Sequence, residues 1–237
     1  MERKIMQNVV IPSIVVGTDV ETKSLRPDAY ILSIGLAAFD IATLRLIGAS
    51  YQAIDPNDAD ADRVFHTDPA TIGWWEGKDN PDYAPSEAAR KEAFSGTTNI
   101  KDALWTAKKF LDDLGNKPIV LAMRGPDFDS PILMNAFAQC DVPPGKFRKF
   151  SMLDSDRTTE RLAHAFGLQP DMEAEAHNWT RGKDFVLHHS GFDAAKEGYL
   201  TARFYHLALV ARTHGFPRML EAHEQMRTGE YIPTMFL

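Results

Sequence analysis

Apolar residues run in short dense blocks through the first part of the chain and then change period. Ser13–Asp19 (SIVVGTD) is an apolar block closed by an acid, which predicts a buried strand. Ala29–Asp40 (AYILSIGLAAFD) and Leu44–Ile54 (LRLIGASYQAI) predict two more, and the short Asp40–Thr43 connection predicts that they form a hairpin. From Asp68 onward the period is helical, with Pro69 suited to a first turn and Thr71–Trp75 behind it. Asn80-Pro81-Asp82 interrupts the pattern, Ser86 to Phe94 resumes it, and Ser95-Gly96-Thr97 ends it. Asn99 is placed to cap a helix over Ile100–Leu114, whose apolar positions keep one face and which Gly115-Asn116 stops.

The second half alternates. Pro118–Met123 predicts a short buried strand, and Asp129–Ala138 a helix that tolerates Pro131 only in its first turn. After the loop Val142-Pro143-Pro144-Gly145, Phe147–Leu153 is expected as a fifth strand and Asp156–Phe166 as a helix. Met172–Lys183 is polar and irregular, and the last strong helix is expected from Gly191 to His214, ended by Gly215 and Pro217. Three meandering strands followed by alternating helix and strand predict a mixed α/β layer fold.

The length of 237 residues fits one domain spanning 1–237, with residues 1–12 expected as a flexible N-terminal segment. With 44% apolar and 25% charged residues and no apolar run of about 18 residues, the composition predicts a protein without a membrane span, and the cytoplasm is the expected location. A lone Cys140 excludes a disulfide framework and zinc-ligand spacing. The net charge of −7 argues against a broad electrostatic grip on duplex nucleic acid, but not against an enzyme that holds a few nucleotides through cations.

Part of that acidity is patterned. Asp19 and Glu21 stand at i and i+2 at the end of an apolar strand, so their side chains point the same way. Asp129 opens a helix just after a strand, a usual place for ligand sites in α/β sheets. His188 precedes Asp193 by five residues at the start of the last helix. Crowded carboxylates repel, and burying them is costly unless a hard cation such as Mg²⁺ or Mn²⁺ draws them together. A histidine beside such a site is suited to take a proton near neutral pH. The combination points to metal-assisted phosphodiester hydrolysis, with two cations about 3.5–4 Å apart.

In this order the three stretches resemble the motifs of the DnaQ-like 3′–5′ exonucleases of the DEDDh type. Asp19, Glu21 and Thr22 match the first motif, Phe128-Asp129 the end of the second, and His188 with Asp193 the third. The chain also resembles, over nearly its whole length, phage exonuclease A (DexA-like) and small bacterial 3′–5′ exoribonucleases. That likeness rests on Ile31-Leu32-Ser33-Ile34-Gly35 with Phe39-Asp40, on Trp74-Trp75, and on Asp156-Arg157-Thr158. Arg124 stands where such relatives often carry Asn, and the Gln that usually follows the Trp pair is missing.

The resemblance implies a ribonuclease H-like α/β fold, a central mixed five-stranded sheet flanked by helices. It implies a 3′–5′ exonuclease that releases nucleoside 5′-monophosphates from a single-stranded 3′ end, DNA by preference and RNA as the rival. It also implies two Mg²⁺ or Mn²⁺ ions. Asp19, Glu21 and Asp193 would bind metal directly, Asp129 through water, and His188 would be the general base. Thr22, Leu25 and Trp75 would contact substrate; His189, where relatives often have Asn, receives no chemical role.

Each motif taken alone has a plainer reading, as a strand end, a helix cap or a surface loop; only the ordered set carries the chemistry. Of the Trp pair, adjacent helical positions point about 100° apart, so one ring belongs to the core while the other is open to stacking. Lys146, Arg148 and Lys149, and likewise Lys196 and Glu197, read most simply as solvated. A binding module that kept the fold without catalysis is the alternative from a different class, and the full set of acids speaks against it.

Overall fold

The expected hairpin pairs β2 (Ile31–Asp40) antiparallel with β3 (Leu46–Ala53). β1 (Ile14–Thr22) lies antiparallel on the other side of β2, and then the direction changes. β4 (Ile119–Met123) and β5 (Leu153–Ser155) both run parallel to β1, giving the mixed sheet order β3-β2-β1-β4-β5. The computed structural model describes residues 11–148, 153–168 and 186–233. Most of the N-terminal segment 1–12, the irregular stretch 172–183 and Lys149 lie outside the described residues.

Strand alternation sorts the side chains of β1 onto two layers. Ile14, Val16 and Val20 pack with Ile100, Leu104 and Leu111 of α4 (Ile100–Asp113) and with Ile132, Leu133 and Phe137 of α5 (Asp129–Gln139). Val15 faces the other way, toward Ala195 and Ala202 of α7 (Ser190–His214), in a cluster shared with Ala37 and Phe39 of β2 and Val120 and Ala122 of β4. Gly17, Asp19 and Glu21 share the alternation of Val15, so the acids sit on the α7 side of the sheet.

Three short helices precede α4 in the stretch between β3 and β4: α1 (Ala59–Asp62), α2 (Pro69–Trp75) and α3 (Glu87–Ala93). Each of α1, α2 and α4 opens on a side-chain cap, from Asp58, Asp68 and Asn99 respectively. After β5 comes α6 (Asp156–Ala165), and after α7 comes α8 (Phe216–Thr228).

Two sequence expectations are corrected. Within Phe147–Leu153, the described residues hold the end of a short 3-10 turn (Gly145–Arg148) and the first residue of β5. Phe147 is buried there against Phe137, with ring centres 5.2 Å apart, so its apolar character serves helix packing. The chain also forms a helix beyond His214. Gly215, at φ +89°, turns the backbone, and Pro217 lies in the first turn of α8 instead of ending the structure.

Candidate active site

Asp19 stands opposite Gly35 and Glu21 opposite Ser33 in the β1–β2 register. No side chain at Gly35 or Gly17 blocks the face above them, so α7 descends onto the sheet at these two positions. A Cβ on Gly35 would lie 2.1 Å from the carbonyl oxygen of Ser190. That approach is locked by a hydrogen bond of 2.9 Å between the buried hydroxyls of Ser33 and Ser190. The first turn of α7 is thereby pressed over the end of β1, and Asp193 in that turn is brought to the strand acids.

Carboxylate oxygens of Asp19, Glu21 and Asp193 all lie within 4.8 Å of one another. Asp129, only 3% exposed in the first turn of α5, stands close enough to act electrostatically on both strand acids without joining that triad. Burial first, then the charge of Glu21 with lesser contributions from Glu197, Asp129 and Asp193, raises the carboxyl of Asp19 well above the usual aspartate range. Glu21 is raised in the same way, by burial first and then by Asp193 and Asp129. Lys196 supplies a partial counter-charge, its Nζ 2.9 Å from Oδ1 of Asp193.

Glu197 is the residue the sequence reading missed. It is fully buried, its charge acts on Asp19, and its Oε2 accepts the backbone N–H of Arg124 at 3.1 Å. The signal was present as spacing, since position 197 is four residues after Asp193 and shares its helix face. Lys196 is likewise not a solvated residue, because its side chain is only 15% exposed in its pair with Asp193.

The histidines divide their work. His189 caps α7, its Nδ1 accepting from the N–H groups of Gly191 and Phe192 at 3.1 and 3.4 Å. Its ring stacks on Tyr51 at 4.3 Å, and its Nε2 lies 3.2 Å from Glu92. His188 has a positive φ of 57°, and its ring meets Trp74 edge-on at 5.0 Å and Asp82 at 3.4 Å. These contacts lie on the α2–α3 segment, and His188 is not part of the acid triad.

Of the expected substrate contacts, Leu25 is 73% exposed at the tip of the loop after β1. Thr22 is buried and donates its hydroxyl to the Ser24 carbonyl at 2.7 Å. Trp75 is 3% exposed, packs with Leu32 and Ala93, and donates its indole N–H to the Thr22 carbonyl at 2.9 Å, which ties α2 to the end of β1. Lys146 is also committed, donating to the Leu111 and Gly115 carbonyls at the C-terminal end of α4.

Carboxylates gathered from a strand end and two helix starts, on a mixed sheet of this order, define a ribonuclease H-like α/β protein with an acidic site suited to divalent cations. The chain belongs to the family described as the 3′–5′ exoribonuclease Rv2179c-like domain, which matches residues 15–200, and it is a 3′–5′ exonuclease. No curated protein shows significant sequence similarity to it. Among solved structures, the fold is similar to the nuclease domain of 3′hExo, described as a DEDDh family member bound to rAMP, at 12% identity and a TM-score of 0.50 over 81% of this chain and 91% of that one. It is also similar to a 3′-exonuclease described in the 3′-end recognition of histone mRNA stem-loop, at 11% identity and a TM-score of 0.53 over 82% of each chain. Exonuclease I from Methylocaldum szegediense matches at 11% identity and a TM-score of 0.55, over 88% of this chain and 42% of that one.

Proposed function

We propose that this exonuclease removes nucleotides from the 3′ end of single-stranded RNA, releasing nucleoside 5′-monophosphates. The observation that carries the reading is the convergence of Asp19, Glu21 and Asp193 within 4.8 Å. Three acids this close, two of them with carboxyls raised by burial and mutual repulsion, are a costly arrangement without a cation. The donor set is all oxygen, which fits Mg²⁺ or Mn²⁺. Asp19, Glu21 and Asp193 would hold one ion directly, and Asp19 with Asp129 would hold the second. When bound, such cations sharpen a water nucleophile and stabilise charge on the phosphoryl oxygens.

The chain's own groups do the rest. His188 accepts the proton of the attacking water, for which imidazole is suited near neutral pH. Leu25, exposed beside the end of β1, contacts the terminal nucleotide, and Thr22 sets the backbone there. Trp74, less enclosed than Trp75, is the ring available for stacking.

RNA replaces the DNA preferred from sequence because the matched family is described as exoribonuclease. DNA, expected from the resemblance of the motifs to the phage relatives, remains the second reading. Parallel digestion of matched, labelled RNA and DNA oligomers with Mg²⁺ or Mn²⁺ decides between them, with Asp19→Asn as control. Faster loss of DNA reverses the choice. Equal inertness of wild type and control toward both strands removes the enzymatic reading of this site.

A further inference from the structure

Asn80-Pro81-Asp82 looks in sequence like a simple break between helices, but its side chains are built into a relay. The Asn80 amide donates to the Trp74 carbonyl at 3.1 Å, and its oxygen accepts the backbone N–H of Asp82 at 2.8 Å. Asn80 is 9% exposed, so the turn is fixed from inside. It presents the Asp82 carboxylate to Nε2 of His188 at 3.4 Å, while the Trp74 ring meets the same imidazole edge-on at 5.0 Å. The neighbouring His189 is anchored independently by its helix cap, by Tyr51 and by Glu92. The peptide leading to the helix is therefore held, and His188, at a positive φ, has its ring against the α2–α3 segment.

We propose that Asp82 is the positioning residue of His188: it holds the imidazole through Nε2–H and leaves Nδ1 as the nitrogen that receives the proton of the attacking water. The inference rests on His188 serving as the base. The proton taken from water goes to Nδ1, the Nε2–H bond is kept, and the imidazolium that results faces the Asp82 carboxylate. A spacing of 3.4 Å is long for a charge-assisted bond, as catalytic hydrogen bonds often are before substrate binds.

Kinetics on single-stranded oligomers with Asp82→Ala, Asp82→Asn, His188→Ala and the double variant Asp82→Ala/His188→Ala test it. The Asp82 side chain is 42% exposed, and thermal melts of each variant check that the fold is kept. Asp82→Ala is expected to lower kcat roughly 10–100-fold with KM changed by less than about twofold, as for a misplaced catalytic group. Asp82→Asn, which keeps an acceptor oxygen, recovers part of that loss. In the His188→Ala background, removing Asp82 costs nothing further. In ¹⁵N-histidine spectra of the wild type above the imidazole titration, His188, assigned by its absence from His188→Ala, carries its proton on Nε2. The proposal is overturned by an unchanged kcat in Asp82→Ala, by an equal loss in the His188→Ala background, or by a proton on Nδ1. Full turnover in His188→Ala overturns both the base and its partner. Loss in His188→Ala with none in Asp82→Ala overturns only the partner.

Discussion

Gly17 lies so close beneath Ala194 that a Cβ added to it would sit 1.7 Å from the Ala194 carbonyl oxygen and 2.6 Å from the backbone nitrogen of Gly198. This backbone-on-backbone contact is what allows α7 to rest on β1. It brings Asp193, one residue before Ala194, and Glu197, one before Gly198, over Asp19. Gly17→Ala is expected to force α7 from the sheet, with a loss of at least about 3 kcal/mol in stability and of cation binding together. Urea melts and Mn²⁺ titration of the soluble variant check this. Wild-type stability in Gly17→Ala would show that the helix can sit elsewhere.

The raised carboxyls of Asp19 and Glu21 have a thermodynamic consequence with a definite sign. An acid whose pKa is higher in the fold than in the unfolded chain favours folding when protonated. That contribution is full below the unfolded carboxylate range, near pH 4, and is lost as pH rises through the raised folded values. The cation-free protein should therefore gain stability at this site as pH falls from neutral toward 4. Saturating Mn²⁺, which stabilises the ionised acids, should raise stability at neutral pH and abolish that gain. Thermal melts against pH, with and without Mn²⁺, isolate the site from other acids by difference. Identical curves would remove the cation site.

Asp19→Asn separates stability from activity. Removing one charge from the cluster should raise the cation-free melting temperature by roughly 2–4 °C, the change that about 1 kcal/mol produces in a chain of this size. Hydrolysis should be lost in the same variant. A lower melting temperature with retained hydrolysis would contradict both expectations.

Glu197→Gln keeps the acceptor for the Arg124 N–H while removing a buried charge that acts on Asp19. Divalent cation affinity should weaken roughly tenfold, as when a group surrounding metal ligands is changed. Calorimetric titration with Mn²⁺ measures it, and unchanged affinity would leave Glu197 as a packing residue.

The two tryptophans should fail in different ways. Trp75→Ala empties a core position and releases the Thr22 carbonyl, at a cost of about 3–5 kcal/mol in stability. Trp74→Ala should leave the fold largely intact and raise KM, because a stacking contact is worth about 1–3 kcal/mol per base. Melts and initial rates distinguish them. A stable Trp75→Ala with raised KM would instead favour Trp75 as the ring that touches substrate.

His188→Ala should lower turnover by roughly 10²–10⁴ while leaving cation binding nearly unchanged. Single-turnover rates and Mn²⁺ titration check the two halves. Full activity would remove the residue from the chemistry.

What the sequence determined by itself is the local part of this protein. Apolar periods placed β1 to β4 and the helices α4, α5 and α7, because strand and helix periods depend only on neighbouring positions. The ordered acids and His188 pointed to the proposed chemistry for the same reason, since their types and spacing are written in the chain. Tertiary structure alone decided which side chains are enclosed. It buried Trp75 and left Trp74 less enclosed, drew Glu197 into the acid cluster, and assigned His189 to a helix cap and Asp82 to His188. Those outcomes depend on where α7 lands on the sheet and how the α2–α3 segment folds back. Both are fixed by contacts between residues far apart in sequence, such as Gly17 with Ala194 and Asp82 with His188, and no local period encodes them.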